Sequence, residues 1–266
     1  MDIATILGII ISCVSIFGGS MLEGKIETGI ALLNVPAAFI VFGGTIGATM
    51  TSFRMKEIKN FLKYFVAAIK QEKFDITALI GEMVRYAEMA RKEGLLTLEE
   101  TISSVKNQFL KKGIQLIVDG TDPNLVREIL EIETDYMEER HKTGIRIFQQ
   151  AGGYAPTMGI VGTVLGLVSV LGNLQDTAGI GPSIAVAFVA TFYGIFSANV
   201  LWLPISQKLT VSTREEISAR QIIIEGILSI QAGEHPRVIG EKLTSFLPPS
   251  NRPTQNRQQD GFGGRG

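Results

Sequence analysis

Between Arg146 and Asp176 the chain carries no charged side chain, and between Asp176 and Lys208 it carries none either. Each run exceeds the roughly 20 apolar residues that cross a bilayer. Residues 152–207 therefore predict a membrane hairpin, closed by a polar turn around 175–182. Small residues recur along both arms at helical spacing. In the first arm Gly152, Ala155, Gly159, Gly162, Gly166, Ser169 and Asn173 share one face. In the second, Ser183, Ala187, Ala190 or Thr191, Gly194, and Ser197 or Ala198 do the same. Lipid supplies no hydrophobic drive for helices to associate, so small residues mark where backbones pack closely. Gly159, Gly162, Gly166 and Gly194 are the candidate packing positions, and the hairpin is expected to line a shared interface.

Two further uncharged runs, 3–22 and 28–53, make four expected spans. Basic residues orient them. Of the 25 Lys and Arg, most lie between Arg54 and Arg146 or from Lys208 onward, and Lys25 alone sits in a short loop on the other side. The positive-inside rule puts the middle segment, the tail and both termini in the cytoplasm. The first run follows only Asp2, with no basic leader and no convincing cleavage site, so it reads as a retained anchor. A net charge of −1 argues against a nucleic-acid binder. A single cysteine, Cys13, excludes an intrachain disulfide and a cysteine-based metal site. The expected fold is all-α: a membrane protein with four transmembrane helices and a helical cytoplasmic domain inserted between the second and third. Its parts are 1–53 (spans 1 and 2 with a short external loop), 54–146 (cytoplasmic), 147–207 (spans 3 and 4), 208–247 (cytoplasmic helices) and 248–266 (a disordered tail, too polar to bury a core).

The middle segment is helical by pattern. Ile58, Phe61, Leu62, Phe65 and Ile69 form a stripe after the second span. Asp75 can cap a helix stopped by Gly94. Another helix is expected over 98–118. Asp122-Pro123 is a strong start signal. The helix it begins either ends near Gly144 or Gly152, or continues into the third span as one rod. After Lys208 the pattern stays helical to about Ala232. Its apolar band of Ile217, Ile222, Ile223, Ile224, Ile227, Leu228 and Ile230 is wide enough to pack on the middle segment, and a last short helix starts at Pro236.

No Asp, Glu, Lys, Arg or His lies inside any of the four runs. Ion and proton carriers place an ionisable group in the membrane interior. A chain of this kind can move ions only if a partner brings that group. Polar side chains are available to line a path: Thr157, Thr163, Ser169 and Asn173 on the third span, Thr191, Ser197 and Asn199 on the fourth. Each can also bond back to its own helix. Pro156 and Pro204, near opposite ends of the hairpin, read equally as kinks or as hinges. No enzyme signature is present: the glycines at 159–166 lack the Lys-Ser/Thr of a phosphate loop. His141 and His235 lack partners at metal-binding spacing. The acidic cluster at 131–139 reads as a solvated face, and Arg91 and Glu99, flanking Gly94, read as surface charges.

Three blocks in order, ARKEGLLTLEE (90–100), APTMGIVGTV (155–164) and ATFYGIFSANVLWLP (190–204), resemble the MotA family of flagellar motor stators, which includes the sodium-type PomA proteins. The resemblance extends to about Pro248. It implies a ring of five such subunits around MotB-like helices that carry the ion-binding aspartate. It also implies no cofactor, H+ or Na+ as the transported cation, torque on the rotor protein FliG, and a place in the bacterial inner membrane. By the same resemblance, Arg91 and Glu99 match the rotor-binding charged pair. Thr163, Thr191, Pro156, Pro204 and Asn199 fall in the blocks that line the ion path. Thr163 is similar to sodium-type members, where many proton-type members have alanine. An ExbB/TolQ-type energy transducer shares the small-residue span but usually has three spans; a non-conducting membrane scaffold is the other alternative.

Overall fold

The computed structural model describes residues 3–23, 32–70, 75–172, 174–175 and 177–248. Among them every regular element is a helix. The loop with Lys25, the hairpin residues Asn173 and Asp176, and the tail from 249 lie outside the described residues.

Helix α1 covers Ile3–Glu23. Helix α2 covers Val35–Ser52, so this helix starts inside the expected 28–53 run. The reason is local: the Asn34 side chain accepts from the Ala37 N–H at 3.0 Å, and Pro36 sits in the first turn, where its missing N–H costs nothing. Phe39–Gly43 forms a π-helical turn inside α2. The stripe over 58–69 is split into α3 (Met55–Ile58) and α4 (Phe61–Ile69) by a turn at Lys59 and Asn60.

Asp75 accepts from the Ala78 N–H at 2.9 Å and starts α5, Ile76–Glu93. Gly94 ends it at φ 91°, a conformation that favours glycine. The helix expected over 98–118 is broken. A 3-10 turn at Leu95–Thr97 leads into α6 (Leu98–Ile102), and α7 (Gln108–Val118) starts afresh. Polar side chains cause the break. Ser104 donates to the Thr101 carbonyl at 2.7 Å, and Asn107 accepts from the N–H groups of Phe109 and Leu110. Asp122 accepts from the Asn124 N–H at 2.9 Å and opens α8, Pro123–Gly172, a single helix of 50 residues. The continuation into the third span as a single helix is thus the observed one, and Pro156 lies inside it.

The hairpin turn is tighter than 175–182. Leu174 and Gln175 form a turn, α9 (Thr177–Ser197) starts two residues later, and Pro182 lies within α9. A π-helical turn at Ala198–Trp202 joins α9 to α10, Leu203–Gln231. Helix α11, Pro236–Thr244, closes the described chain. Among the described residues three helices are long and apolar enough to cross a membrane: Val35–Ser52, Pro123–Gly172 and Gly179–Gln231. A shorter apolar stretch, Ile6–Gly19, lies in α1.

The chain divides into two units. The spanning unit comprises Met1–Glu72 and Met137–Arg214; the charged unit comprises Lys73–Tyr136 and Glu215–Gly266. The charged unit has its own core, in which Met83, Tyr86, Leu110, Ile114, Leu130, Ile223 and Ile227 are almost wholly buried. Ile222, Ile223, Ile224, Ile227 and Ile230 of the α10 band pack there with Leu228 against them, while Ile217 stays outside this core. Glu225 joins α10 to its neighbours through Arg127 at 2.9 Å and Lys242 at 3.1 Å. Burial pushes its carboxyl up, but these two cations outweigh burial and hold it below the ordinary carboxylate range. In the spanning unit, Phe61 of α4 stacks on Phe148 of α8 at 4.9 Å, with Trp202 tilted against both.

Candidate functional site

The hairpin faces fit together through their small residues, in antiparallel order. A Cβ added to Gly194 would stand 2.5 Å from the Ala155 carbonyl oxygen. One on Gly159 would stand 3.0 Å from the Ala190 oxygen. One on Gly166 would stand 2.8 Å from the Ala187 Cβ and 2.9 Å from the Ser183 oxygen. One on Gly162 would collide with the Ala190 Cβ. Backbone meets backbone along this seam, which is the contact that dispersion and carbonyl dipoles reward when water is absent. Ala37 and Val41 of helix α2 pack with Val189 and Ala190 of the second arm.

Within the seam lies a cluster of oxygens. The Thr163 hydroxyl is hydrogen-bonded to the Thr191 hydroxyl and stands 3.1 Å from the carbonyl oxygens of both Gly159 and Ala187. Thr191 reaches the same Ala187 oxygen at 3.3 Å. Both threonines are half-buried. A hydroxyl has one proton to give and two lone pairs to offer, so this group can rearrange its donations and present oxygen to a cation. Pro156 lies in the same seam: its Cα stands 3.1 Å from the position of a Gly194 Cβ.

The other polar residues of the spans behave differently. Thr157 donates to the Tyr154 carbonyl at 2.7 Å, Ser197 to the Gly194 carbonyl at 3.3 Å, and Asn199 to the Ile195 carbonyl at 2.8 Å. Each thus satisfies its own helix. Ser169 and Ser183 meet across the hairpin at 3.3 Å. Asn199 and Pro204 do not join the threonine cluster; they line a cavity shared with α1 and α4. Pro204 has no N–H to close the preceding helical turn, and the π-helical turn Ala198–Trp202 immediately precedes it.

Sequence reasoning did not single out Tyr193. Its hydroxyl donates to the Leu32 carbonyl and accepts from the Asn34 N–H, which ties α9 to the start of α2. A phenol within an uncharged run was the available signal, one it shares with Tyr154.

In the charged unit, Arg91 sits in the last turn of α5 and Glu99 in the first turn of α6, on either side of the Gly94 turn. Both are exposed. Arg91 lines a cleft with Lys92, Glu88, His235 and Arg237, which brings α11 beside α5 and makes the rim of this cleft mainly basic. The α11 contribution could not be read from residue spacing, because His235 and Arg237 lie far along the chain from Arg91 and only folding brings them together.

Comparison with known proteins supplies the remaining evidence. Residues 6–94 match the family model described as Motility protein A N-terminal, and residues 101–222 match that of the MotA/TolQ/ExbB proton channel family. Motility protein A of Bacillus subtilis (strain 168) is 41% identical over 253 residues, covering 95% of this chain and 93% of the relative. Chemotaxis protein PomA of Vibrio alginolyticus is 36% identical, covering 95% of this chain and 98% of the relative. The structure of the flagellar MotAB stator complex from Bacillus subtilis superposes with a TM-score of 0.87 at 41% identity, over 93% of this chain and 96% of that one.

Proposed function

Since this chain belongs to the motility protein A family, within the MotA/TolQ/ExbB proton channels, we propose that it is a stator subunit of the flagellar motor, a multi-pass membrane protein and not an enzyme. It assembles as a ring of five around a MotB-like partner in the bacterial inner membrane, with both termini cytoplasmic. Ion flow past the hairpin turns the ring against the rotor protein FliG. The observation that carries this reading is the threonine cluster itself: oxygen donors gathered within a close-packed seam whose described residues hold no ionisable side chain. Such a wall can replace part of a cation's hydration. It needs a carboxylate from another chain to hold and release the ion.

Thr163, Thr191 and Pro156 border the path in this reading. Pro204 and Asn199, placed with α1, form the deformable end of the fourth span. Arg91 and Glu99 engage the rotor, and the basic cleft around Arg91 favours an acidic rotor surface. The coupling ion is H+ or Na+; the paired hydroxyls favour Na+. An ExbB/TolQ-type transducer would share the seam but have no use for an exposed charged pair at a rotor.

The test is swimming of cells that lack their own stator and carry this chain with its MotB-like partner. Restored swimming is expected. Arg91→Glu should reduce torque while leaving the protein in the membrane and bound to its partner. Normal swimming of Arg91→Glu, also when combined with Glu99→Lys, would overturn the rotor contact.

A further inference from the structure

A cavity of about 390 Å³ opens in the spanning unit between α1, α4 and the junction of α9 with α10, within the roughly 300–1,000 Å³ of small-molecule sites. Ile9, Phe65, Ile69, Val200 and Ile205 give it apolar walls. Ser12 and Asn199 are polar groups along it, and Lys208 stands at its edge. Lys208 is the first charged residue after the uncharged run that follows Asp176. An apolar slot that ends in a cation where a spanning helix leaves the bilayer matches one occupant by shape and charge: a lipid with an anionic headgroup.

Helix α4 points the same way. Its inner face, with Phe61, Tyr64 and Phe65, packs in the spanning unit, yet Leu62 is 70% exposed and Val66 43% exposed. Lys59, Lys63 and Lys70 flank these exposed apolar groups. A short helix with apolar and basic residues on its outer surface lies in the headgroup region, and here it forms one wall of the cavity.

We infer that this cavity binds an anionic phospholipid, with an acyl chain between α1 and α4 and the headgroup phosphate at Lys208. This rests on the reading that α10 leaves the membrane on the cytoplasmic side. The bound lipid would fill space beside the π-helical turn and Pro204, at the segment where the fourth span can flex.

The complex of full-length chain and partner, purified from nanodiscs containing equal phosphatidylglycerol and phosphatidylcholine, tests the assignment by native mass spectrometry. The wild type should retain phosphatidylglycerol over phosphatidylcholine by about fivefold, the effect of one basic residue at an anionic surface. Lys208→Gln should retain lipid without that preference. Gly8→Leu should lose the retained lipid, because nothing lies within 4 Å of a Cβ at Gly8 and the larger side chain enters the slot. Unchanged co-purification of the partner shows that both variants fold. Equal retention by wild type and Gly8→Leu would overturn the assignment. So would an intact wild-type complex with no retained lipid, the result expected if a second copy of the chain covers the slot. Retention and swimming are separate readouts. A complex that restores swimming and retains no lipid refutes only the lipid site; one that retains lipid and never supports swimming refutes only the stator reading.

Discussion

Gly194 and Gly153 lie on the hairpin arms as residues of the same type, yet they differ in what surrounds them. A methyl group at Gly194 meets the Ala155 carbonyl oxygen at 2.5 Å, whereas at Gly153 nothing lies within 4 Å. The obstacle at Gly194 is backbone and cannot rotate away. Gly194→Ala is expected to destabilise the hairpin by about 1–3 kcal/mol, and Gly153→Ala to leave it unchanged or slightly stabilised. Thermal unfolding of the detergent-solubilised complex, with both variants side by side, measures the difference. Equal melting temperatures would mean that the seam yields to a methyl group at Gly194. At this scale the sequence was informative about packing. A three-to-four-residue recurrence of small side chains marks one helical face whatever the partner. It was less informative about the polar residues. Thr157, Thr163, Ser197 and Asn199 look alike in a string of letters. Only the placement of the opposite arm separates Thr163, which reaches across to Ala187 and Thr191, from Thr157, which bonds to its own helix.

Among the helices, start signals were the most legible feature. Asp75, Asp122 and Pro236 each sit where a helix begins, because capping is a local interaction settled within one turn. Breaks were harder. The interruption at 103–107 depends on Asn107 capping a new helix, and the late start of α2 depends on Asn34 and Pro36 together. The π-helical turn at Ala198–Trp202 has no compositional signature apart from Pro204 downstream. That pairing makes a prediction. Pro204→Leu supplies the missing N–H and removes the ring that opposes a regular α-helix, so the π-helical turn should relax toward α-helix. Protein should still reach the membrane and bind its partner, but swimming should be lost. Loss of the protein itself, seen by immunoblotting of membranes, would instead assign Pro204 a purely structural role.

At the level of the whole molecule, α8 and α10 each carry residues of both units. The charged unit is held partly by Glu225, whose two cation partners lower its carboxyl below the ordinary 4.5. A lowered value means that the ionised form is favoured by folding. The stabilisation is therefore complete above about pH 4.5 and fades as pH falls through the lower, folded value. Acid unfolding followed by circular dichroism should show stability decreasing below that point, and Glu225→Gln should flatten the profile while reducing stability at neutral pH by about 1–2 kcal/mol. An unchanged profile would remove Glu225 from this role. The division of labour between chains is tested more directly by ion flux. Proteoliposomes holding this chain together with its MotB-like partner should conduct under an imposed sodium or proton gradient, and proteoliposomes holding this chain alone should not. Flux through this chain alone, or none through the complex under either gradient, would contradict a hairpin that forms one wall of an ion path whose titrating group belongs to another chain.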